Sequence, residues 1–172
     1  LLGTMAGNRR LSIGLPAEHN GGEKRFPLTP EGVALLTKEG YRVFVESGAG
    51  EGIKYSDLHY TEAGAQATTA SEVFRCDVVL KITPLNEQEA AMIRPGVFLL
   101  TLLQPQYQSA SVVRILMQKK VTAVAIDLIT DERGRYLFAD ILDEIDGRAA
   151  IVLASELLSN RSGGKGVLLG GI

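Results

Sequence analysis

Three stretches of this chain are apolar at nearly every position: Asp77–Ile82 (DVVLKI), Val97–Leu103 (VFLLTLL) and Val121–Ile126 (VTAVAI). Continuous branched runs of this length read as strands covered on both faces, the habit of parallel sheets. Consecutive parallel strands need a crossover, usually a helix. The intervening sequence supplies it. Leu11–Leu15 and Arg42–Glu46 (RVFVE, period two) add two further strands. Between them, Thr29 is placed to cap a helix with Pro30 at its first position and Glu31 at its positive end. Val33, Leu35 and Leu36 form its apolar side, and Gly40 stops it. Ser56–Glu62 (closed by Gly64), Ser71–Phe74 and Asn86–Ile93 read as short helices. In Ser109–Lys119, Val112, Val113, Leu116 and Met117 are expected to point inward.

Five β/α units predict an α/β fold: a doubly wound parallel sheet in three layers, Rossmann-like in class and flavodoxin-like in connectivity. A long C-terminal crossing helix follows, on which Ile141, Leu142, Ile145, Ala149, Val152, Leu153 and Leu157 recur at three- and four-residue steps. It extends over about 20 residues, or about 30 Å. The tail NRSGGKGVLLGGI has no obvious strand to pair with. The expected division is a catalytic or substrate domain over 11–138, then the helix and a glycine-rich connection over 139–172. The chain reads as the first part of a longer protein, and its lack of an initiator methionine fits a trimmed or processed start. The helix's uncovered apolar side makes self-association plausible.

Charge and cysteine content narrow the function classes. With 172 residues, 18 basic and 20 acidic, the net charge is −2. No broad basic field exists to hold nucleic acid. Cys76 is the one cysteine, so no internal disulfide forms and a reducing, cytoplasmic location is expected. No apolar run approaches a membrane span, so no membrane partner is expected. The histidines His19 and His59 make no metal-ligand spacing with Cys76, and no metal site is expected. His19 reads as a solvated loop residue and His59 as surface.

Gly48-Ala49-Gly50-Glu51-Gly52 follows a strand, but a dinucleotide fingerprint needs glycine where Ile53 stands. It reads as a tight strand-exit turn. Gly163-Gly164-Lys165-Gly166 lacks the features of a phosphate loop. In such sheets ligands lie beyond the carboxyl ends of the strands. Four side chains fall there. Arg25, near the first helix, can fork onto a carboxylate. Lys81, inside an apolar strand, must snorkel, pair or face a cleft. Gln104 and Asp127 close the fourth and fifth strands. For each, ordinary pairing or capping is the bland alternative.

IGLPAE, EKRFPLTPEGVALLTKEGYRVFVESGAGEG, SDLHYTEAGA, DVVLKITP, IRPGVFLLTLL, KKVTAVAID and GGKGVLLGGI occur in this order. Together they resemble the N-terminal segment of the alanine dehydrogenase and pyridine-nucleotide transhydrogenase α-chain family, over Leu11–Ile172. The resemblance implies a substrate domain whose NAD-binding domain lies further on. Arg25 matches the arginine of R-x-x-L/I-T-P that holds the pyruvate carboxylate. Lys81 matches the first lysine of K-V-K-E-P, and Thr83 replaces the second. Gln104 stands at the histidine of F-T-Y-L-H; Gln cannot exchange a proton near neutral pH. Asp127 corresponds to the family's glutamate.

The resemblance therefore implies an NAD-dependent oxidoreductase converting L-alanine to pyruvate, or acting on a related amino or keto acid. Homo-oligomerisation of the full-length protein and inactivity of this segment alone are implied with it. A transhydrogenase-like domain passing hydride to a partner, and a non-catalytic ligand-binding domain, stand as alternatives.

Overall fold

The computed structural model describes residues 10–19, 22–104 and 108–169. They form two compact units, dividing after Ile126. The first unit alternates strands and helices in the order β1 (Ser12–Leu15), α1 (Pro30–Lys38), β2 (Arg42–Glu46), α2 (Asp57–Glu62), β3 (Gln66–Thr68) and α3 (Ala70–Val73). It continues with β4 (Val78–Leu80), α4 (Glu87–Met92), β5 (Phe98–Thr101), α5 (Ala110–Gln118) and β6 (Thr122–Ala125).

All strands are parallel, in the order β3-β2-β1-β4-β5-β6. The five expected strands alone run 2-1-3-4-5, the flavodoxin order; the unexpected edge strand β3 completes the Rossmann order 3-2-1-4-5-6. In both, the order reverses between the first strand and its inner neighbour. The switch point therefore lies between β1 and β4, whose register pairs Ile13 with Val78 and Gly14 with Val79.

The sheet packs on both faces. Ile13, Leu15, Val43 and Val45 face one core with Phe26, Val33 of α1 and Tyr60 of α2. Val79 and Leu99 face the other with Phe74, Ala90 of α4, Ile93 at its end, and Val112 and Leu116 of α5. Alternation along β4 divides its side chains, Val78 and Leu80 joining the first core and Val79 the second. Gly14 lies on the face where α3 packs. A Cβ there would sit 2.2 Å from the Val73 carbonyl oxygen, so the backbone approach excludes any side chain.

Several local expectations are corrected. β6 is the sheet edge and is not buried on both faces; Thr122 and Ala123 are exposed. In β5, Leu99 and Thr101 are buried while Phe98 is 43% exposed. Val33 of α1 is buried but Leu35 points outward. Of the four α5 residues expected inward, Val112 and Leu116 are buried, whereas Val113 and Met117 are exposed. A nine-residue helix lying on a sheet buries a narrower stripe than its apolar content suggests.

The second unit opens with Asp127, in the 3-10 turn Ile126–Leu128. Thr130 and Tyr136 bridge around the turn DERGR, whose Asp131 carboxylate accepts hydrogen bonds from Arg133 and Arg135. α6 (Ala139–Leu158) has the expected length of 20 residues. Ile141, Ile145, Val152, Leu153 and Leu157 are exposed on it. No helix among the described residues is long and apolar enough to cross a membrane.

Candidate active site at the strand exits

Parallel pairing of β1 with β2 brings the loop after Leu15 beside the turn after Glu46. Between them is a cleft of about 210 Å³, lined by Ala17, Glu18, His19, Glu23, Lys24 and Arg25 from the loop. Gly48, Ala49 and Gly52 close it from the turn. A Cβ on Gly52 would lie 2.5 Å from the Lys24 carbonyl oxygen, so glycine lets the turn press against the loop. The glycine-rich stretch thus serves an exit turn, ending in the 3-10 turn Glu51–Ile53.

Arg25 presents its planar fork to a carboxylate. Its Nε donates to Glu23 Oε1 at 2.9 Å and its Nη2 to Glu23 Oε2 at 2.7 Å. The Arg25 backbone N–H also donates to Glu23 Oε1 at 2.8 Å. These bonds from Arg25 hold the Glu23 carboxyl below its ordinary value despite partial burial. The Arg25 side chain is half exposed.

Lys81 lies one residue past β4 and is completely buried. Its ammonium donates to Glu18 Oε2 at 2.6 Å and to Thr83 Oγ1 at 2.7 Å. Glu89 Oε1 lies 3.5 Å away. Glu18 in turn accepts the Ile82 N–H at 2.6 Å, the Thr83 N–H at 3.1 Å and the Thr83 hydroxyl at 2.5 Å. A buried carboxylate thus spans the switch point, joining the β1 exit to the β4 exit. Glu89 reciprocally caps α4 with Asn86. Thr101 Oγ1 donates to the carbonyls of Ile82 and Thr83, fixing the same corner from β5.

Glu18 is the residue that sequence reading missed. A lysine within an apolar strand demands a carboxylate, and the neighbouring strand's exit supplies one. Glu18 lines the cleft with Arg25 and pairs with Lys81, so one carboxylate links the cleft wall to the buried lysine.

Gln104 follows β5 with φ of +41°, a left-handed conformation that non-glycine residues seldom adopt. It lies at the exit of the strand beside β4. Asp127 belongs to the second unit. Among the described residues, no group of three His, Cys, Asp or Glu side chains is arranged to hold a metal ion.

The β1 exit also bears on NAD. A dinucleotide at a Rossmann switch point needs bare backbone N–H groups after β1 to face its pyrophosphate. Here that exit carries Pro16, which has no N–H, then Ala17, whose N–H donates to Glu46 Oε2 at 2.8 Å, and the acidic Glu18. The residues present do not fit a dinucleotide at this point.

Comparisons with known proteins agree with this architecture. Residues 14–141 match the family model described as "Alanine dehydrogenase/PNT, N-terminal domain". An alanine dehydrogenase of Geobacillus stearothermophilus is 32% identical over 164 residues, covering 94% of this chain and 44% of that protein. One from Methanococcus maripaludis is 34% identical over 166 residues, covering 93% and 43%. A solved L-alanine dehydrogenase superposes with a TM-score of 0.88 at 29% identity, covering 94% of this chain and 45% of the other. A solved transhydrogenase from Sinorhizobium meliloti gives 0.65 at 28%, covering 71% and 37%. The chain spans less than half the length of these curated relatives. With its parallel sheet, its matched motifs and these likenesses, the chain belongs to the alanine dehydrogenase/PNT N-terminal domain family.

Proposed function

We propose that this chain is the substrate-binding part of an NAD-dependent, alanine-dehydrogenase-like oxidoreductase. It acts on L-alanine and pyruvate or a closely related amino or keto acid. The observation carrying this reading is the Arg25 fork, held at the mouth of the cleft in two parallel bonds to a carboxylate. A substrate carboxylate uses the same geometry, displacing Glu23. Lys81 acts from beneath, its charge reaching the cleft through Glu18. Gln104 orients the carbonyl or amine by hydrogen bonding and leaves its proton in place. Asp127 takes the role of the family's glutamate. Residues 11–138 form the substrate domain, and 139–172 lead to the domain that binds NAD, which supplies the hydride chemistry. The full-length protein is a cytoplasmic homo-oligomer without a nucleic-acid or membrane partner.

The test is a substrate series on the full-length gene product. Arg25→Ala raises KM for the amino acid at least tenfold, as loss of a charge-assisted pair implies, and far more than substitution of Lys81 does. Unchanged saturation removes Arg25 from the site. Residues 1–172 alone give no NADH complex in the micromolar range; such a complex overturns the division of labour. Gln104 and Thr83, at the positions of the family's histidine and second lysine, favour a second reading: a transhydrogenase-like hydride relay without its own organic substrate. Gain of alanine-dependent NADH formation in Gln104→His supports the first reading. Arg25-independent hydride exchange between nucleotides supports the second. Ligand binding without turnover marks a non-catalytic domain.

A further inference from the structure

We propose that His19 is the proton-exchanging group of this cleft, in place of the imidazole absent at Gln104. The inference rests on the reading that the cleft takes an amino or keto acid. Of the chain's two histidines, His59 is committed elsewhere. Its Nδ1 lies 3.0 Å from the Ser56 N–H, which donates to it, and 2.9 Å from the Ser56 hydroxyl, capping α2. His19 lines the cleft with Arg25 and Lys24. Its Nε2 lies 3.5 Å from Glu46 Oε1, at the end of β2. The other Glu46 oxygen accepts the Ala17 N–H at 2.8 Å, so the carboxylate is fixed from the loop that carries the histidine.

An imidazole with a fixed carboxylate behind it and a substrate carboxylate clamp on the same wall is the arrangement general acid–base catalysis requires. The charged groups around it are Glu46 from β2 and Glu18, Glu23, Lys24 and Arg25 from its own loop. The facing turn lines the cleft with Gly48, Ala49 and Gly52; it also carries Glu51, and the Asp57 carboxylate accepts its Gly48 N–H at 2.8 Å. With the substrate carboxylate on Arg25, the α-ammonium points along the cleft. One of its N–H bonds breaks, the electron pair stays on nitrogen, and the proton passes to the ring. The His19 side chain is 58% exposed, which opens a path for that proton to bulk water. The reverse transfer protonates the amine in the other direction.

With two histidines, proton NMR of the ring signals reads the site directly, His59→Gln assigning the peaks. Saturating L-alanine or pyruvate shifts the His19 signal and leaves His59 in place; Arg25→Ala abolishes the shift. In the full-length gene product, His19→Gln lowers kcat about 100-fold with KM within about threefold. Glu46→Gln keeps an oxygen for the Ala17 N–H, leaves KM unchanged and lowers kcat. Arg25-dependent binding with an unmoved His19 signal overturns this inference alone. So does full kcat in His19→Gln, or absence of turnover despite such binding. If neither L-alanine nor pyruvate binds, the substrate reading falls and this inference with it.

Discussion

The ammonium of Lys81 and the carboxylate of Glu18 meet at 2.6 Å in the protein interior, 63 positions apart in the sequence. Both side chains are almost wholly shielded from water. Each charge therefore depends on the other for the solvation that burial removed. Breaking the pair from one side leaves a buried ion behind. Glu18→Gln or Lys81→Met lowers unfolding stability by about 3–5 kcal/mol. Urea denaturation followed by circular dichroism measures it, and a loss below about 1 kcal/mol contradicts the assignment.

Gly14→Ala tests the contact between β1 and α3. The new Cβ meets the Val73 carbonyl oxygen at 2.2 Å, and backbone cannot step aside as a side chain does. Overpacking of this kind costs about 1–3 kcal/mol or more. A clear fall in the thermal midpoint is expected, whereas Gly147→Ala, with open space around its Cβ position in α6, leaves it unchanged or raised.

Asp77 sets part of the acid sensitivity. Burial raises its pKa, but the Ser12 hydroxyl and N–H at 2.7 and 2.9 Å and the Arg94 guanidinium at 2.9 Å outweigh that and hold it below the usual 3.8. A carboxyl with a depressed folded-state pKa stabilises above its unfolded value, and this stability is lost as pH falls through the folded value. Wild-type stability therefore drops below about pH 4. Asp77→Asn is less stable at pH 6, and its urea midpoint changes less between pH 5 and pH 3. Parallel curves for the two proteins reject the linkage.

Burial pushes the Cys76 thiol up to about 11, and only 4% of the residue is exposed. The thiolate is the reacting species, so at pH 8 the folded chain reacts slowly with iodoacetamide. Denaturant exposes the residue and restores ordinary alkylation. Rapid labelling of the native chain counts against this.

Why some of this was readable from sequence and some was not has physical roots. The parallel α/β class followed from strands too apolar to face water, and α6 kept its expected length because its period extends over many turns. β3 escaped notice because Gln66-Ala67-Thr68 has neither alternation nor an apolar run; pairing with β2 alone makes it a strand. The inward sets of α1 and α5 were too wide, since composition does not reveal how narrow a contact stripe the sheet offers. Arg25 is placed by sequence near a helix start, but nothing there marks Glu23 as the carboxylate its fork takes. His19 reads as a solvated loop residue and its side chain is 58% exposed; only the pairing of β1 with β2 shows that Glu46 lies within its reach. Glu18 is not legible as a partner of Lys81, because nothing local marks residues 63 positions apart as neighbours, and Glu89 reads as a cap of its own helix.

The central place of β1 also governs how the chain is born. β1 leaves the ribosome before the other strands of its sheet, finds its partner β2 about 30 residues later, and waits for β4 to emerge before its second edge is covered. At about 5–20 residues per second, that edge stays open on the order of several seconds. Over that interval Ser12–Leu15 presents unpaired backbone and apolar side chains to anything nearby. The same topology that builds a cleft beside the switch point therefore leaves one edge of β1 open through much of the sheet's synthesis.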